Sequence, residues 1–100
     1  MIKVVFTYKT KKEDLAELMD KFAQSASEPE FQSEVTNDKI EMFQRIDGED
    51  VYIVLDIYYH SREDYEERTR FERSLAKWNE IWFSPENKHE EVSVEVFDVL

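Results

Sequence analysis

The stretch DVYIVLDIYYH, residues 50–60, is the most apolar segment of the chain and decides how the rest is interpreted. Its β-branched and aromatic residues predict a central β-strand, yet Asp56 stands in its middle. A carboxylate that is buried without a partner is strongly disfavoured or becomes protonated. Alternation therefore predicts a strand with two unlike faces, one apolar and one on which Asp56 meets solvent, a ligand cavity or a second subunit.

Composition limits the class of protein. A chain of 100 residues has the size of a single domain, 1–100. The net charge of −11 repels phosphate backbones and anionic lipid, so we expect neither nucleic acid nor a membrane as partner. There is no cysteine, no signal-peptide pattern and no apolar run near the roughly 20 residues of a membrane span. We therefore expect a cytoplasmic protein without a cofactor.

Periodicity and turn residues predict the element order β-α-β-β-α-β. The four strands are predicted over residues 2–8, 39–46, 50–60 and 90–100. The polar turn 47–50 carries the only glycine and predicts a hairpin between the second and third strands. Short right-handed crossovers then give a ferredoxin-like α+β sandwich, with a four-stranded antiparallel sheet in the spatial order 4-1-3-2.

Two helices are predicted between these strands. Thr10 with Glu13 forms a capping box that predicts the start of the first helix, and Ser61 begins the second. The second helical pattern is interrupted by Arg68, Thr69, Arg70 and Glu72, which predicts a kink or two segments between about 70 and 74. Residues 27–38 predict a loop with one helical turn that buries Phe31. The apolar face of the first helix comprises Leu15, Leu18, Met19, Phe22, Ala23 and Ala26.

One face of the predicted sheet is almost entirely apolar. We expect both helices to cover it, because an apolar sheet face must be buried against another layer. The residues assigned to this face are Ile2, Val4, Phe6, Tyr8, Ile40, Met42, Ile46, Val51, Ile53, Leu55, Ile57, Tyr59, Val92, Val94 and Val96.

The opposite face mixes charged groups with large apolar ones. A contiguous apolar patch of that kind usually marks an interface or a binding site. The simplest cover is a second copy of the same sheet across a twofold axis, which predicts a barrel-like homodimer. The predicted interface residues are Val5, Phe43, Val54, Asp56 and Phe97, with Lys3, Arg45 and Thr7 as possible partners of the Asp56 carboxylate.

The layout resembles the dimeric α+β barrel superfamily, which includes antibiotic-biosynthesis-monooxygenase-like and NIPSNAP-like domains. The similar parts are MIKVVFTYKTKKEDLAELMDKF, YYHSREDYEE and FERSLAKWNEIW, and the resemblance covers the whole chain. The resemblance implies a dimeric barrel, and it leaves open the roles known in that superfamily: cofactor-independent oxygenases, haem-degrading enzymes, small isomerases and domains without an assigned role. Fold analogy alone does not choose among them.

The haem-degrading branch of that superfamily uses an asparagine late in the first strand and a tryptophan and a histidine on the second helix. Here the first strand ends in Thr7 and Tyr8, and neither His60 nor His89 falls on the second helix. The resemblance to that branch therefore fails at its functional residues.

A ligand site is predicted on the late aromatic segment. Trp78, Trp82 and Phe83, with Tyr65 on the same predicted helix, can form the wall of a pocket between helix and sheet. The alternative is that they are core or dimer contacts, since aromatic residues dominate both.

A catalytic site is predicted on the third strand. Asp56, Tyr58 and His60 stand at i, i+2 and i+4, so they project from one face, and a carboxylate, a phenol and an imidazole together can transfer protons. The alternative is a solvated histidine and a hydrogen-bonded aspartate at an interface. No metal site is predicted, because the acidic runs lack the ligand spacing of a calcium loop.

Two functions follow from these residues. The first is a small dimeric barrel domain that holds an apolar or aromatic small molecule between helices and sheet. The second is a cofactor-independent monooxygenase-like or isomerase-like enzyme that uses Tyr58, His60 and Asp56. RNA recognition, soft-metal transport and phosphate binding are disfavoured, because the chain has one glycine, no cysteine and a strongly negative charge.

Overall fold

In the computed structural model, which describes residues 1–100, the chain is an α+β fold with four strands and three helices. The strands form a single antiparallel sheet in the order β2-β3-β1-β4, which confirms the predicted spatial order and fits a ferredoxin-like fold. No helix has both the length and the apolar character needed to cross a membrane. The elements are β1 (Ile2–Lys11), α1 (Leu15–Ser27), β2 (Lys39–Asp47), β3 (Asp50–Tyr59), α2 (Arg62–Arg73), α3 (Ala76–Trp82) and β4 (Glu90–Asp98).

Strand β3 is central because both of its edges are paired. It pairs with β1 from Asp50 to Tyr59 and with β2 from Asp50 to Tyr58. The predicted hairpin between β2 and β3 is confirmed, with Asp47 opposite Asp50 and a two-residue turn between them. Gly48 has φ of 61° there, a left-handed conformation that glycine adopts without steric cost at the first central position of a type II′ turn.

The capping box predicted at Thr10 and Glu13 is wrong. Strand β1 continues through Thr10, which pairs with Val51, and the ladder ends only at Lys11 opposite Asp50. The extended pairing places the Thr10 hydroxyl in a buried position without a hydrogen-bond partner. Helix α1 begins after a 3-10 turn, and its N-cap residue Asp14 makes no side-chain cap.

The second helix begins as predicted and divides as predicted. The Ser61 hydroxyl accepts a hydrogen bond from the Asp64 amide at 3.1 Å, which satisfies one of the free amides at the helix start. The predicted division is confirmed, although it lies slightly later in the chain. Helix α2 ends at Arg73 and α3 begins at Ala76.

The core lies on one face of the sheet. Leu18 of α1 is buried against Tyr8, Ile53 and Leu55. Phe31 is completely buried in a 3-10 turn over Pro29–Phe31, as the loop pattern predicted. Further helix and sheet residues that pack against this core are Leu15, Phe22, Phe6, Ile57 and Trp82.

The prediction that the helices cover the whole apolar face is wrong for β2. Ile40, Met42 and Ile46 are 49%, 41% and 56% exposed, although their pairing with β3 puts them on the predicted face. The physical reason is that the buried contacts of the helices are with β1 and β3, the two middle strands. The helical layer therefore leaves this edge of the sheet open.

A β-bulge changes the face of the first part of β4. Thr7 lies opposite Ser93, but the next residue, Tyr8, lies opposite Glu91. Val92 is the extra residue of the bulge and is 47% exposed. The prediction that Val92 packs under the helices is therefore wrong, because the inserted residue moves Glu91 to the position opposite Tyr8.

Two single substitutions test this account of the helix starts. Ser61→Ala should lower the free energy of unfolding by about 1 kcal/mol, because it removes a hydroxyl cap. Thr10→Val should leave it unchanged or raise it, because it removes a buried hydroxyl without a partner and valine suits a strand. Urea denaturation measures both, and a loss at Thr10 equal to that at Ser61 would restore the capping box.

Candidate functional site

A cavity of about 530 Å³ lies between the helices and the sheet. Most of the side chains that line it are hydrophobic, and Ile40 and Met42 of the uncovered strand β2 are among them. The four predicted ligand-binding residues also lie on its wall, so the structure brings together Tyr65, Trp78, Trp82 and Phe83. The volume falls within the roughly 300–1,000 Å³ of small-molecule sites.

Aromatic rings form one continuous wall of the cavity. The ring centroids of Tyr8, Phe22 and Trp82 lie 5.1–5.5 Å apart. Trp78 continues this cluster, with its centroid 6.3 Å from that of Trp82 and its ring at a right angle to that of Phe31. Contacts of this geometry stabilise aromatic pairs beyond their buried area, so the cavity has a rigid aromatic side.

Polar contacts fix the orientation of Trp82. Its indole Nε1 donates to the Ser25 hydroxyl at 2.8 Å, and that hydroxyl donates to the Lys21 carbonyl at 2.7 Å. At the end of α3, the Lys21 ammonium donates to the Ile81 carbonyl at 3.0 Å and to the Asn87 amide oxygen at 2.8 Å. These bonds satisfy a carbonyl of the last turn and hold α3 against α1.

A buried arginine closes another side of the cavity. Arg68 is 7% exposed, and its Nη2 donates to the Phe31 carbonyl at 2.7 Å while its Nε donates to Glu72 Oε2 at 2.9 Å. Burial raises the pKa of Glu72, and the Arg68 guanidinium partly offsets that effect. Arg68 was interpreted as an interruption of the helical pattern. Its spacing of four residues from Glu72 was nevertheless a signal for an ion pair.

Three tyrosines carry hydroxyl groups into the same region. Burial raises the pKa of Tyr8, Tyr59 and Tyr65 above the ordinary phenol value, and the negative charge of Glu72 acts on all three in the same direction. The hydroxyls therefore stay neutral at physiological pH and can donate or accept hydrogen bonds. Tyr59 and Tyr65 lie side by side, with ring centroids 5.2 Å apart.

Glu91 is the cavity carboxylate that sequence analysis missed. The bulge at Val92 places it opposite Tyr8 and among the residues that line the cavity, with its side chain exposed at the cavity edge. Partial burial raises its pKa, and Arg73 acts in the opposite direction. No ion pair or hydrogen bond within the chain engages its carboxyl group. Strict alternation could not find it, since only the bulge changes its face.

The opposite face of the sheet, which we call the outer face, holds the predicted interface residues. The register places Val5 beside Asp56 and Phe43 beside Val54. Phe97 lies opposite Lys3 at the other edge. Of the three predicted partners of Asp56, Lys3 forms an ion pair with it at 3.7 Å, while the Arg45 guanidinium lies over the ring of Tyr52 at 4.2 Å.

The predicted catalytic residues lie away from the cavity. Asp56 and Tyr58 are on the outer face, and His60 is exposed in the bend that follows β3. None of the hydrogen bonds or ion pairs joins His60 to either of them, so a proton-transfer role stays a prediction. No three acidic or histidine side chains come together as a metal-binding group.

Comparisons with known proteins bear on the fold alone. No family model and no curated protein matches the chain. A solved structure titled "De novo designed protein Foldit4" is similar, with a TM-score of 0.57 and 14% sequence identity over 99% of this chain and 98% of that chain. At that identity the likeness supports the α+β arrangement and carries no function.

The raised pKa of Glu91 predicts a pH-dependent effect of Glu91→Gln on stability. The folded state holds the proton of the Glu91 carboxyl group more tightly than the unfolded state does. The contribution of Glu91 to the free energy of unfolding therefore falls as pH rises from the ordinary carboxyl pKa through the raised pKa. The glutamine variant should therefore gain stability relative to the wild type between about pH 4 and about pH 7.

Urea denaturation of both proteins at the two pH values measures this difference. Glu90→Gln, on the adjacent residue, which does not line the cavity, is the matched control and should show a smaller change. A relative gain for Glu91→Gln that shrinks as pH rises would contradict the placement of Glu91 in the cavity.

Proposed function

We propose that this protein is a small-molecule-binding domain whose ligand occupies the cavity between helices and sheet. The observation that carries the proposal is the cavity itself, about 530 Å³ in volume and walled by Trp78 and Trp82. A cavity of that size with an apolar lining and a few polar groups is the usual form of a small-molecule site. The aromatic rings of the wall favour an apolar or aromatic ligand.

The fixed surroundings of the tryptophans support the same proposal. The bond from Trp82 to Ser25 and the bonds of Arg68 to Phe31 and Glu72 hold two parts of the cavity wall. Aromatic side chains whose positions are already set lose little conformational entropy when a ligand binds. The open edge at Ile40 and Met42 offers a route of entry.

A filling substitution tests this proposal. Ala26 lines the cavity on α1, so Ala26→Phe should obstruct it and weaken the binding of an apolar probe, 2-(2-naphthyl)ethanol, by about tenfold or more. Isothermal titration calorimetry measures the affinity.

Ala16→Phe makes the same change on a position of α1 that does not line the cavity, and it should leave the affinity unchanged. Equal binding by the two variants, or no binding by the wild type, would contradict a binding cavity.

We propose further that two copies of the chain associate through the outer face, as dimeric α+β barrel proteins do. Phe43 and Phe97 are 50% and 46% exposed there, with Val5 and Val54 between them in the sheet. Asp56 is already paired with Lys3, so covering this face does not leave its carboxylate without a partner. The resemblance of the sequence to that superfamily supports the same assembly.

The dimer has a direct test. Light scattering at micromolar concentration should give twice the 12.1 kDa mass of the chain. Val54→Arg should give the monomer mass, because it places a charge at the centre of the outer face.

Ala16→Arg places the same side chain on the exposed face of α1 and should stay dimeric. Circular dichroism establishes that each variant is folded. A wild-type mass of 12.1 kDa would refute the dimer.

The alternative function, a cofactor-independent monooxygenase-like or isomerase-like enzyme, stays a prediction. Its residues Asp56, Tyr58 and His60 lie outside the cavity, and the Asp56 carboxylate is paired with Lys3. A hydrogen bond from His60 to Asp56 or Tyr58 would orient the imidazole for an acid–base role, and none joins them.

A further inference from the structure

We propose that the cavity selects ligands that carry a protonated amine, and that Glu91 is the residue that recognises it. This inference rests on the proposed binding function and adds the chemical class of the ligand. It concerns one feature of this chain, the β-bulge at Val92, which turns a carboxylate towards the helix side of the sheet.

Glu91 is the cavity carboxylate available to a ligand. The other one, Glu72, already accepts a hydrogen bond from Arg68 at 2.9 Å. The nine ion pairs of the chain involve eight other carboxylates and leave Glu91 out. A carboxylate without a partner at the wall of an apolar cavity gains most from a ligand cation, because charge-assisted hydrogen bonds are stronger than neutral ones.

The aromatic rings near Glu91 favour the same ligand. Tyr8 lies opposite Glu91 across the β1–β4 ladder, and its ring centroid is 5.4 Å from that of Trp82. The negative charge of Glu91 also acts on the hydroxyls of Tyr8 and Tyr65, which places all three groups around one region of the cavity. An ammonium group there can pair with the carboxylate and face aromatic rings, which attract cations.

The cationic groups of the cavity do not offer an equivalent site for an anion. Arg68 is held by the Phe31 carbonyl and Glu72. Arg73 is exposed, and its guanidinium carbon lies 3.7 Å from the ring centroid of Phe83. The net charge of −11 also attracts cationic ligands and repels anionic ones.

Three probes of similar shape test the inference by calorimetry at pH 7 with the full chain. They are 2-(2-naphthyl)ethylamine, 2-(2-naphthyl)ethanol and 2-naphthylacetate, which differ in the charge of one terminal group. The amine should bind about tenfold more tightly than the alcohol, and the acid more weakly than the alcohol.

Glu91→Gln is the decisive variant, and it should reduce amine binding to the level of the alcohol while leaving alcohol binding unchanged. The control Glu90→Gln should keep the preference for the amine. Alcohol binding as tight as amine binding, or an amine preference that survives Glu91→Gln, would overturn the inference and leave the proposed function standing. Tighter binding of the acid would assign recognition to Arg73 and overturn it as well. Failure of all three probes to bind would overturn both.

Discussion

The pairing of β3 on both of its edges is the constraint on which the rest of the structure depends. A strand bonded to β1 on one side and β2 on the other has no free edge, so its only exposed surfaces are its two faces. Alternation sends Val51, Ile53 and Leu55 to one face, where they are buried, and Asp56 to the other. One strand thus fixes both the helix-covered core and the bare outer face.

The cavity follows from a mismatch between the two layers. The helices pack on the middle strands β1 and β3, while the sheet extends further to β2 and β4. Polar contacts at the edges of the helical layer fix this arrangement, among them those of Arg68 with Phe31 and of Trp82 with Ser25. Burial of these groups would cost free energy without partners, and their bonds position the residues that form the cavity wall.

Periodicity predicted the parts of the fold that local chemistry determines. The Gly48 hairpin, the Ser61 cap and the burial of Phe31 each have a signal within a few residues of the chain, and the strand order follows from the element order and right-handed crossovers. Thr10 was misassigned because its pairing with Val51 depends on how far the β1–β3 ladder continues, which is a tertiary property. The exposure of Ile40 and Met42 depends on the width of the helical layer, and no strand pattern encodes that.

The candidate site was predictable in part. The aromatic spacing of Trp78 and Trp82 was enough to place both on a possible pocket wall, and both line the cavity. The charged groups of the cavity were not predicted. Arg68 and Glu72 were interpreted as interruptions of a helix, and Glu91 changes face only through the bulge. A single inserted residue reverses the face of every preceding position of a strand. The bulge at Val92 therefore puts the Glu91 carboxylate on the cavity side, where strict alternation predicts Val92.

The most direct measurement of the central claim is a nitrogen–proton correlation spectrum recorded during titration with 2-(2-naphthyl)ethanol. The chain has two tryptophans, both on the cavity wall, so its two indole signals report on the site without any substitution. Binding in the cavity predicts that both indole signals and the backbone amides of Glu91 and Val94 shift together, while those of Val54 and Phe97 stay in place. Shifts confined to the outer face, or none in any of these signals, would contradict a ligand-binding cavity between helices and sheet.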